Sequence, residues 1–314
     1  MTHTISVFSP ASIANLCSGF DVCGIAVEGL GDELTISHSI EQQFKFAVVG
    51  EHGHEVPTVP EKNAATVPIL SFCKERGILP YFNVTLNKKM PIGSGLGSSG
   101  SSAAAGIFAL NSLLELNQSK GELLTFAAEG ERVACGAGHA DNVAASLYGG
   151  AVIISQYDPL HVISVPIANK KLSLAIIHPQ IILKTKYSRS VLPESVALKL
   201  AVSQLGAFGA LIAGLTTGEN EHIKLGLVDH IAEPKRAHLI PGFIKAKEIA
   251  LRAAGCLGFG IAGSGPSMFA MCESIDAAAI VCQEITSHLN RISVGASTFV
   301  SQIDQQGCKV INQE

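Results

Sequence analysis

Residues 88–110 read KKMPIGSGLGSSGSSAAAGIFAL. The run just before them, Phe82-x-Val84-x-Leu86, alternates with the period of a half-buried strand. The stretch then passes from a loop made almost wholly of Gly and Ser into a small-residue apolar run. The spacing predicts a strand, a glycine loop and a helix opening near Ser98. Such a loop presents bare backbone N–H groups, and the first amides of the helix, at its positive dipole end, face the same space. That combination makes an anion site, and phosphate is its usual occupant. A flexible linker has a similar composition, but a linker is not followed at once by an apolar helix that must pack.

The chain around this stretch has 314 residues, enough for about two domains. Hydrophobic residues make up 47% and charged residues 15%, so most of the chain is expected to be compact. Trp is absent and aromatic residues are few, which predicts an aliphatic core rich in Ala and Gly. The net charge is −4 with no block of like charge, which argues against nucleic acid or an anionic membrane as partner. No run reaches the roughly 18 apolar residues of a membrane span, and MTHTISVFSP lacks the features of a signal peptide. The eight cysteines are scattered without a C-x-x-C pair, so reduced thiols in the cytoplasm are expected rather than a zinc or redox motif.

Taken in order, TISV (4–7) is expected to be a strand leading into a loop that carries Asn15, Ser18, Gly19 and Asp21. Residues 33–40 and 44–49 alternate and read as a hairpin. Asn63 is expected to cap a helix over 64–76. A further helix over 121–135 has an apolar stripe through Leu123, Leu124, Ala127, Ala128 and Ala134. Glu131 falls on that apolar side. An inward carboxylate needs a cation, which is either the partner in a buried salt bridge or a metal opposite the serine-rich loop. After Gly136-Ala137-Gly138 comes His139-Ala140-Asp141-Asn142, a polar cluster of local caps or of groups that orient a hydroxyl. A domain boundary is expected between about residues 157 and 170, dividing the chain into 1–160 and 161–314. The second half is expected to open with strands over 161–167 and 172–178. It also holds a second glycine-rich loop, GFGIAGSGPSMFAM (258–271).

Competing motifs fit less well. Gly95-x-Gly97-x-x-Gly100 matches G-x-G-x-x-G, but a dinucleotide fold needs a strand after the helix, and another helix follows here. A P-loop needs Gly-Lys-Ser/Thr at its end, and no Lys follows this loop. No loop serine has the Gly-x-Ser-x-Gly setting of a hydrolase nucleophile. Without a Walker lysine, the phosphate charge must be met by amides, a helix N-terminus and Mg²⁺. Ser99 and Glu131 suit that ion, which takes a few hard oxygen ligands together with phosphate and water.

Three segments in this order, SPASIANLCSGFD, PIGSGLGSSGSSAAAG and GIAGSGPSMFA, resemble the GHMP small-molecule kinases. Within that family the segments EGERVACGAGHADNVAASLYGG, KTKYSRSVLP and DHIAEPKRAHLIPGF resemble homoserine kinases, and the likeness covers nearly the whole chain. The resemblance implies an α+β, two-domain GHMP kinase fold. Its N-terminal ATP-binding domain would contain a left-handed βαβ unit, and its C-terminal domain would be ferredoxin-like. It implies ATP- and Mg²⁺-dependent phosphorylation of L-homoserine to O-phospho-L-homoserine, a cytoplasmic step of threonine biosynthesis, and a homodimer. Mevalonate, another small hydroxylated acid, is the alternative acceptor.

By motif position, the resemblance places Pro91, Gly93, Ser94, Gly95, Leu96, Gly97, Ser98, Ser99, Ser101 and Ser102 around the nucleotide, with contacts from Asn63 and Lys88. Ser99 and Glu131 match Mg²⁺ ligands. Asn15, Asp21, His139, Asp141, Asn142, Arg189, Arg236 and Gly263 match amino-acid positions, and Thr185 supports the hydroxyl. The chemistry agrees with this assignment. Two guanidinium forks suit a carboxylate, and Asp21 suits an ammonium. Asn142 can orient a hydroxyl but cannot deprotonate it, so catalysis by positioning and charge stabilisation is expected, with the γ-phosphate as proton acceptor. His139 or Asp141 as general base is the rival reading. The chain departs from the homoserine kinase pattern at Leu16-Cys17-Ser18-Gly19, where Leu-Gly-Pro-Gly is usual.

Overall fold

The computed structural model describes residues 3–136 and 140–313. Its first unit is built on a long antiparallel pair, β1 (Thr4–Asn15) and β2 (Gly19–His38), joined through Leu16-Cys17-Ser18. Next come β3 (Lys45–Val49), α1 (Val67–Arg76), β4 (Phe82–Asn87), α2 (Ser98–Leu113), α3 (Lys120–Cys135), α4 (Ala140–Tyr148), β5 (Ala151–Tyr157) and β6 (Leu160–Val165). The inward faces of the strands carry Val7, Leu34, Ile36, Val84 and Leu86, which pack against Ala103, Ile107, Leu123 and Ala127. The alanines and glycines of α2 let neighbouring backbones come close: a Cβ on Gly106 would overlap the Ala65 carbonyl oxygen.

The second unit contains β7 (Ser173–Pro179), α5 (Thr185–Ser190), α6 (Leu198–Thr217), α7 (Asn220–Gly226), α8 (Glu233–Arg236), α9 (Phe243–Arg252), β8 (Cys256–Ile261), β9 (Met268–Cys272), α10 (Ile275–Arg291) and β10 (Ala296–Gln302). Its sheet order is β10-β7-β9-β8 with every neighbour antiparallel, the arrangement of a ferredoxin-like sheet. The chain then returns to the first sheet through β11 (Lys309–Gln313), which pairs with β1.

Several expectations are corrected. The hairpin over 33–49 does not form. The first sheet runs β11-β1-β2-β4-β3, so β4 lies between the two segments and β3 pairs with it in parallel. The α1 crossover allows this, and it puts the Phe82, Val84 and Leu86 face of β4 in the core. The β3-α1-β4 segment is the βαβ unit. β6 pairs with β5 in the first sheet rather than opening the second unit, and the last strand crosses back. The chain therefore does not divide cleanly at residue 160. α1 starts at Val67, with Pro68 in its first turn, where a missing N–H costs nothing. Asn63 instead accepts from the Ala65 N–H, closing the preceding turn. Ala134 is exposed, unlike the rest of the α3 stripe.

The cysteines described are free thiols. One helix, α6, is long and apolar enough to cross a membrane by length and composition, with a mean hydropathy of 1.6. Its Gln204 nevertheless faces the protein and donates to the Ser18 carbonyl at 2.9 Å.

Gly106→Ala is expected to lower stability by about 1–3 kcal/mol, because a backbone carbonyl cannot yield as a side chain would. A urea unfolding midpoint unchanged from wild type would contradict this packing.

Candidate active site

The glycine loop joins β4 to α2. Gly93, Gly95 and Gly97 all have positive φ (66°, 81° and 67°), and they alternate with residues of ordinary φ. That alternation turns successive N–H groups toward one side, as in an anion-binding nest. Gly97 is also the N-cap of α2, and no side chain caps the helix there. Close approach fixes two of these glycines. A Cβ on Gly95 would lie 2.5 Å from the Ala262 carbonyl oxygen, and one on Gly97 would overlap the Ser12 hydroxyl.

Two loops and the end of β1 meet at this point. The Ser12 N–H donates to Leu96 O (3.1 Å), the Ser267 N–H to Ser94 O (3.1 Å) and the Gly263 N–H to Ala14 O (3.2 Å). Asn15 Nδ2 donates to Gly263 O at 2.8 Å. The two segments the sequence singles out as glycine-rich thus lie against each other across the two units.

Lys88 holds the loop to the sheet from below. It is 1% exposed and forms an ion pair with Asp32, which is 0% exposed. Its Nζ also donates to Ser98 O (2.8 Å) and Ser102 Oγ (2.9 Å), so all three N–H donors are used inside the protein. Lys88 lines the cavity, as the expected nucleotide contact requires, and its ammonium also anchors the loop and the start of α2. Burial pulls its pKa down, and the Asp32 charge draws it back up. Asp32 additionally accepts from the N–H groups of Lys89 (3.0 Å) and Met90 (3.1 Å) and from Ser102 Oγ (2.8 Å).

The loop opens on a cavity of about 710 Å³. At one end it is lined by Val56, Pro57, Lys62 and Asn63. The Asn63 amide is built into this wall, donating to Pro57 O at 2.7 Å. Glu131, 5% exposed, and Ser99 both line the cavity, so the inward carboxylate read from α3 periodicity does point toward the serine-rich loop. Among the described residues no three His, Cys, Asp or Glu side chains gather into a metal cage. One carboxylate and one hydroxyl beside an anion cradle fit Mg²⁺, which keeps several waters and takes the rest of its shell from phosphate.

The far end of the cavity is lined by Asn15, Asp21, Asp141, Asn142, Thr185, Arg189, Arg236 and Gly263. Arg189 Nη2 meets both Asp21 oxygens, at 2.8 and 3.0 Å. Arg236, 3% exposed, donates to Ser188 O (3.0 Å) and Gly263 O (3.1 Å). Burial, and then the Arg189 charge, lower its pKa to about 10. Asn142 Oδ1 accepts from Ser12 Oγ at 2.9 Å. Thr185 Oγ1 lies 3.2 Å from Ser264 Oγ. His139 lies outside the described residues.

The turn bearing Asn15, Leu16 and Cys17 is left-handed at all three (φ 74°, 42° and 63°), a cost of roughly 1–2 kcal/mol for each of Leu16 and Cys17. The residues that depart from the family pattern help to hold it. Ser18 Oγ donates to Gly226 O (2.7 Å), and the Cys17 thiol points at Phe259 O (3.9 Å).

Sequence reasoning missed Ser12, Asp32, Phe20 and Tyr157. Asp32 was findable: it shares the inward period-two face of Leu34 and Ile36, where a carboxylate needs a partner. Tyr157, on β5, donates its hydroxyl to Asp21 O at 2.5 Å, a link that nothing in the sequence spacing signals.

Two measurements test the site's electrostatics. Asp32→Ala leaves a buried ammonium and three other donors without their acceptor, so a loss of about 3–5 kcal/mol is expected in urea unfolding. Lys88→Met, which leaves the carboxylate with those three donors, should cost clearly less, and equal losses would refute the asymmetry. Burial first, and then the Asp21 charge, push Asp141 up to about 7. An acid whose folded pKa is raised stabilises the fold most when protonated, so its contribution is lost as pH rises from about 4 to 7. The urea midpoint of Asp141→Asn should therefore lack a decline across that window that wild type shows, and parallel profiles would sink the assignment.

Residues 63–150 match the GHMP kinases N terminal domain, and residues 220–291 match the GHMP kinases C terminal domain. The chain is similar to a homoserine kinase of Chlorobium phaeobacteroides (strain BS1), 40% identical over 98% of this chain and 99% of that one. It is also similar to one of Saccharolobus solfataricus, 35% identical over 93% and 94%. The crystal structure of homoserine kinase from Cytophaga hutchinsonii superposes with a TM-score of 0.93 at 44% identity, covering 98% of this chain and 97% of that one. A mevalonate kinase crystal structure, at 15% identity and a TM-score of 0.68, shares the fold alone.

Proposed function

The chain belongs to the GHMP kinase family and, within it, to the homoserine kinases, and we propose on this basis that its cavity takes ATP and L-homoserine side by side. The reaction moves the γ-phosphoryl group of ATP to the side-chain hydroxyl of L-homoserine, giving O-phospho-L-homoserine, a step of threonine biosynthesis. The observation that carries the reading is the common cavity. An amide nest at the start of α2 and the Asp21–Arg189–Arg236 cluster open onto the same space.

In this reading the amides around Gly93, Gly95 and Gly97 hold the triphosphate, and Val56, Pro57 and Asn63 flank the base. Ser99 and Glu131 would hold Mg²⁺, which when bound neutralises phosphate charge. Asp21 takes the substrate ammonium, while Arg189 and Arg236 take the carboxylate. The existing Asp21–Arg189 pair thus exchanges partners with a zwitterion, each charge meeting its opposite. Ser12 engages the Asn142 carbonyl oxygen, which leaves the amide NH₂ end to orient the acceptor hydroxyl. Thr185, beside Ser264, supports that hydroxyl. An amide cannot act as a base, so Asn142 serves by positioning. We further propose a cytoplasmic homodimer, for which the exposed Leu198, Val202 and Leu205 of α6 offer an apolar contact face.

A coupled ADP-release assay with homoserine, mevalonate and galactose tests the acceptor, and release is expected with homoserine. Intact ATP binding with no release from any acceptor would reject the reading. Asn142→Ala should lower kcat by about 100-fold. A near-wild-type kcat, with His139→Ala inactive, would move the chemistry to a general base. Glu131→Gln should raise the Mg²⁺ concentration needed for half-maximal rate, and an unchanged requirement would remove Glu131 from the metal.

A further inference from the structure

Phe20 stands between the turn 16–18 and Asp21, and the site as described gives it no task. Two guanidinium groups lie over its ring, with the central carbon of Arg189 5.7 Å and that of Arg236 5.5 Å from the ring centroid. These are two cations in mutual repulsion, one of them buried. The Asp21 carboxylate meets Arg189. An aromatic face attracts each cation and, unlike a carboxylate, does not compete for the hydrogen-bonding edge of the guanidinium.

The ring is itself held in place. The next residue, Asp21, has a φ of 57° and is fixed on both sides of its backbone. Its N–H donates to Asn15 Oδ1 at 2.9 Å, and its carbonyl accepts from the Tyr157 hydroxyl at 2.5 Å. Arg236 is fixed through backbone carbonyls on two segments, whereas the Arg189 side chain is 39% exposed. When a zwitterionic substrate takes the Asp21 carboxylate, Arg189 gives up that salt bridge while its contact with the ring face remains.

We propose that Phe20 is a positioning residue for acceptor recognition: by cation–π contact it keeps Arg189 beside Arg236, so that the two guanidiniums present one fork to the acceptor carboxylate. The inference rests on the homoserine reading of this site, and it adds the origin of selectivity for a carboxylate-bearing alcohol. Ring and arginines act together only on the carboxylate end. An acceptor with the same hydroxyl and ammonium but no carboxylate, 3-amino-1-propanol, draws nothing from them.

The test compares Phe20→Leu, which keeps apolar bulk without a π face, with Phe20→Tyr, which keeps the face. Phe20→Leu should raise KM for homoserine by about 5–30-fold, the loss expected for two cation–π contacts. KM for ATP should be unchanged, and kcat/KM for 3-amino-1-propanol should not move. Phe20→Tyr should retain the wild-type homoserine KM. An unchanged homoserine KM in Phe20→Leu overturns the proposal. So does an equal rise for Phe20→Tyr, or an equal loss with 3-amino-1-propanol, since any of these makes the ring a filler of space. A wild-type enzyme that releases no ADP with homoserine would instead refute the functional reading on which the inference stands.

Discussion

The buried pair between Lys88 and Asp32 is the constraint that the site depends on. In the register of β2 and β4, Leu34 faces Leu86, so one step further along the same inward faces Asp32 and Lys88 meet where the sheet gives way to the loop. Two charges removed from water need close compensation. They find it in Ser102, in the Ser98 carbonyl and in the amides of Lys89 and Met90. Those partners lie at the start of the loop, just after β4, and at the start of α2. One electrostatic knot therefore sets the direction in which the helix N-terminus points. The donors of Lys88 already have acceptors within the protein, and turning it outward would strand Asp32.

A second constraint is the close approach of backbones. Glycine at 95 and 97 does more than supply flexibility. It leaves room for the 262–265 loop on one side and for Ser12 and Asn142 on the other. The strained turn at 15–17 is held from the second unit by the Gly226 and Phe259 carbonyls, which face Ser18 and Cys17, and by Gln204. The cavity is thus a product of both units. The strand β11, returning to pair with β1, ties them together a second time.

The chemistry follows from how charge is distributed along the cavity. At the nest, negative charge is met by amides and a helix end, and Glu131 lies close enough to bring in a cation. At the other end, Asp21, Arg189 and Arg236 leave a net positive cluster around Phe20, suited to a zwitterion that carries its own carboxylate. Asp141 sits near these groups under a desolvation that favours its neutral form, which reduces the negative charge it carries at neutral pH. Asn142 lies against Gly97 of the loop, its carbonyl oxygen engaged by Ser12.

Local pattern was enough to read much of this. The glycine loop before an apolar helix, the inward Glu131 on α3, and the ordered motifs carrying Asn15, Asp21, Asn142, Arg189 and Arg236 all lie within short windows. Over such windows, period and residue chemistry are physically coupled to backbone conformation. What the sequence alone could not decide was pairing between distant segments. The 33–40 and 44–49 segments look like a hairpin because both alternate, yet alternation does not say which edge a strand joins, and β4 came between them. Periodicity could mark Lys88 and Asp32 as inward, but only the register of β2 against β4 made them partners. The tasks of Phe20, Tyr157 and Ser12 likewise depend on contacts across 130 or more positions of chain, such as Ser12 with Asn142 and Tyr157 with Asp21. Sequence determined which groups exist and which way each faces from its own element. Tertiary structure decided which groups meet, because packing energy is shared among segments that no local window contains.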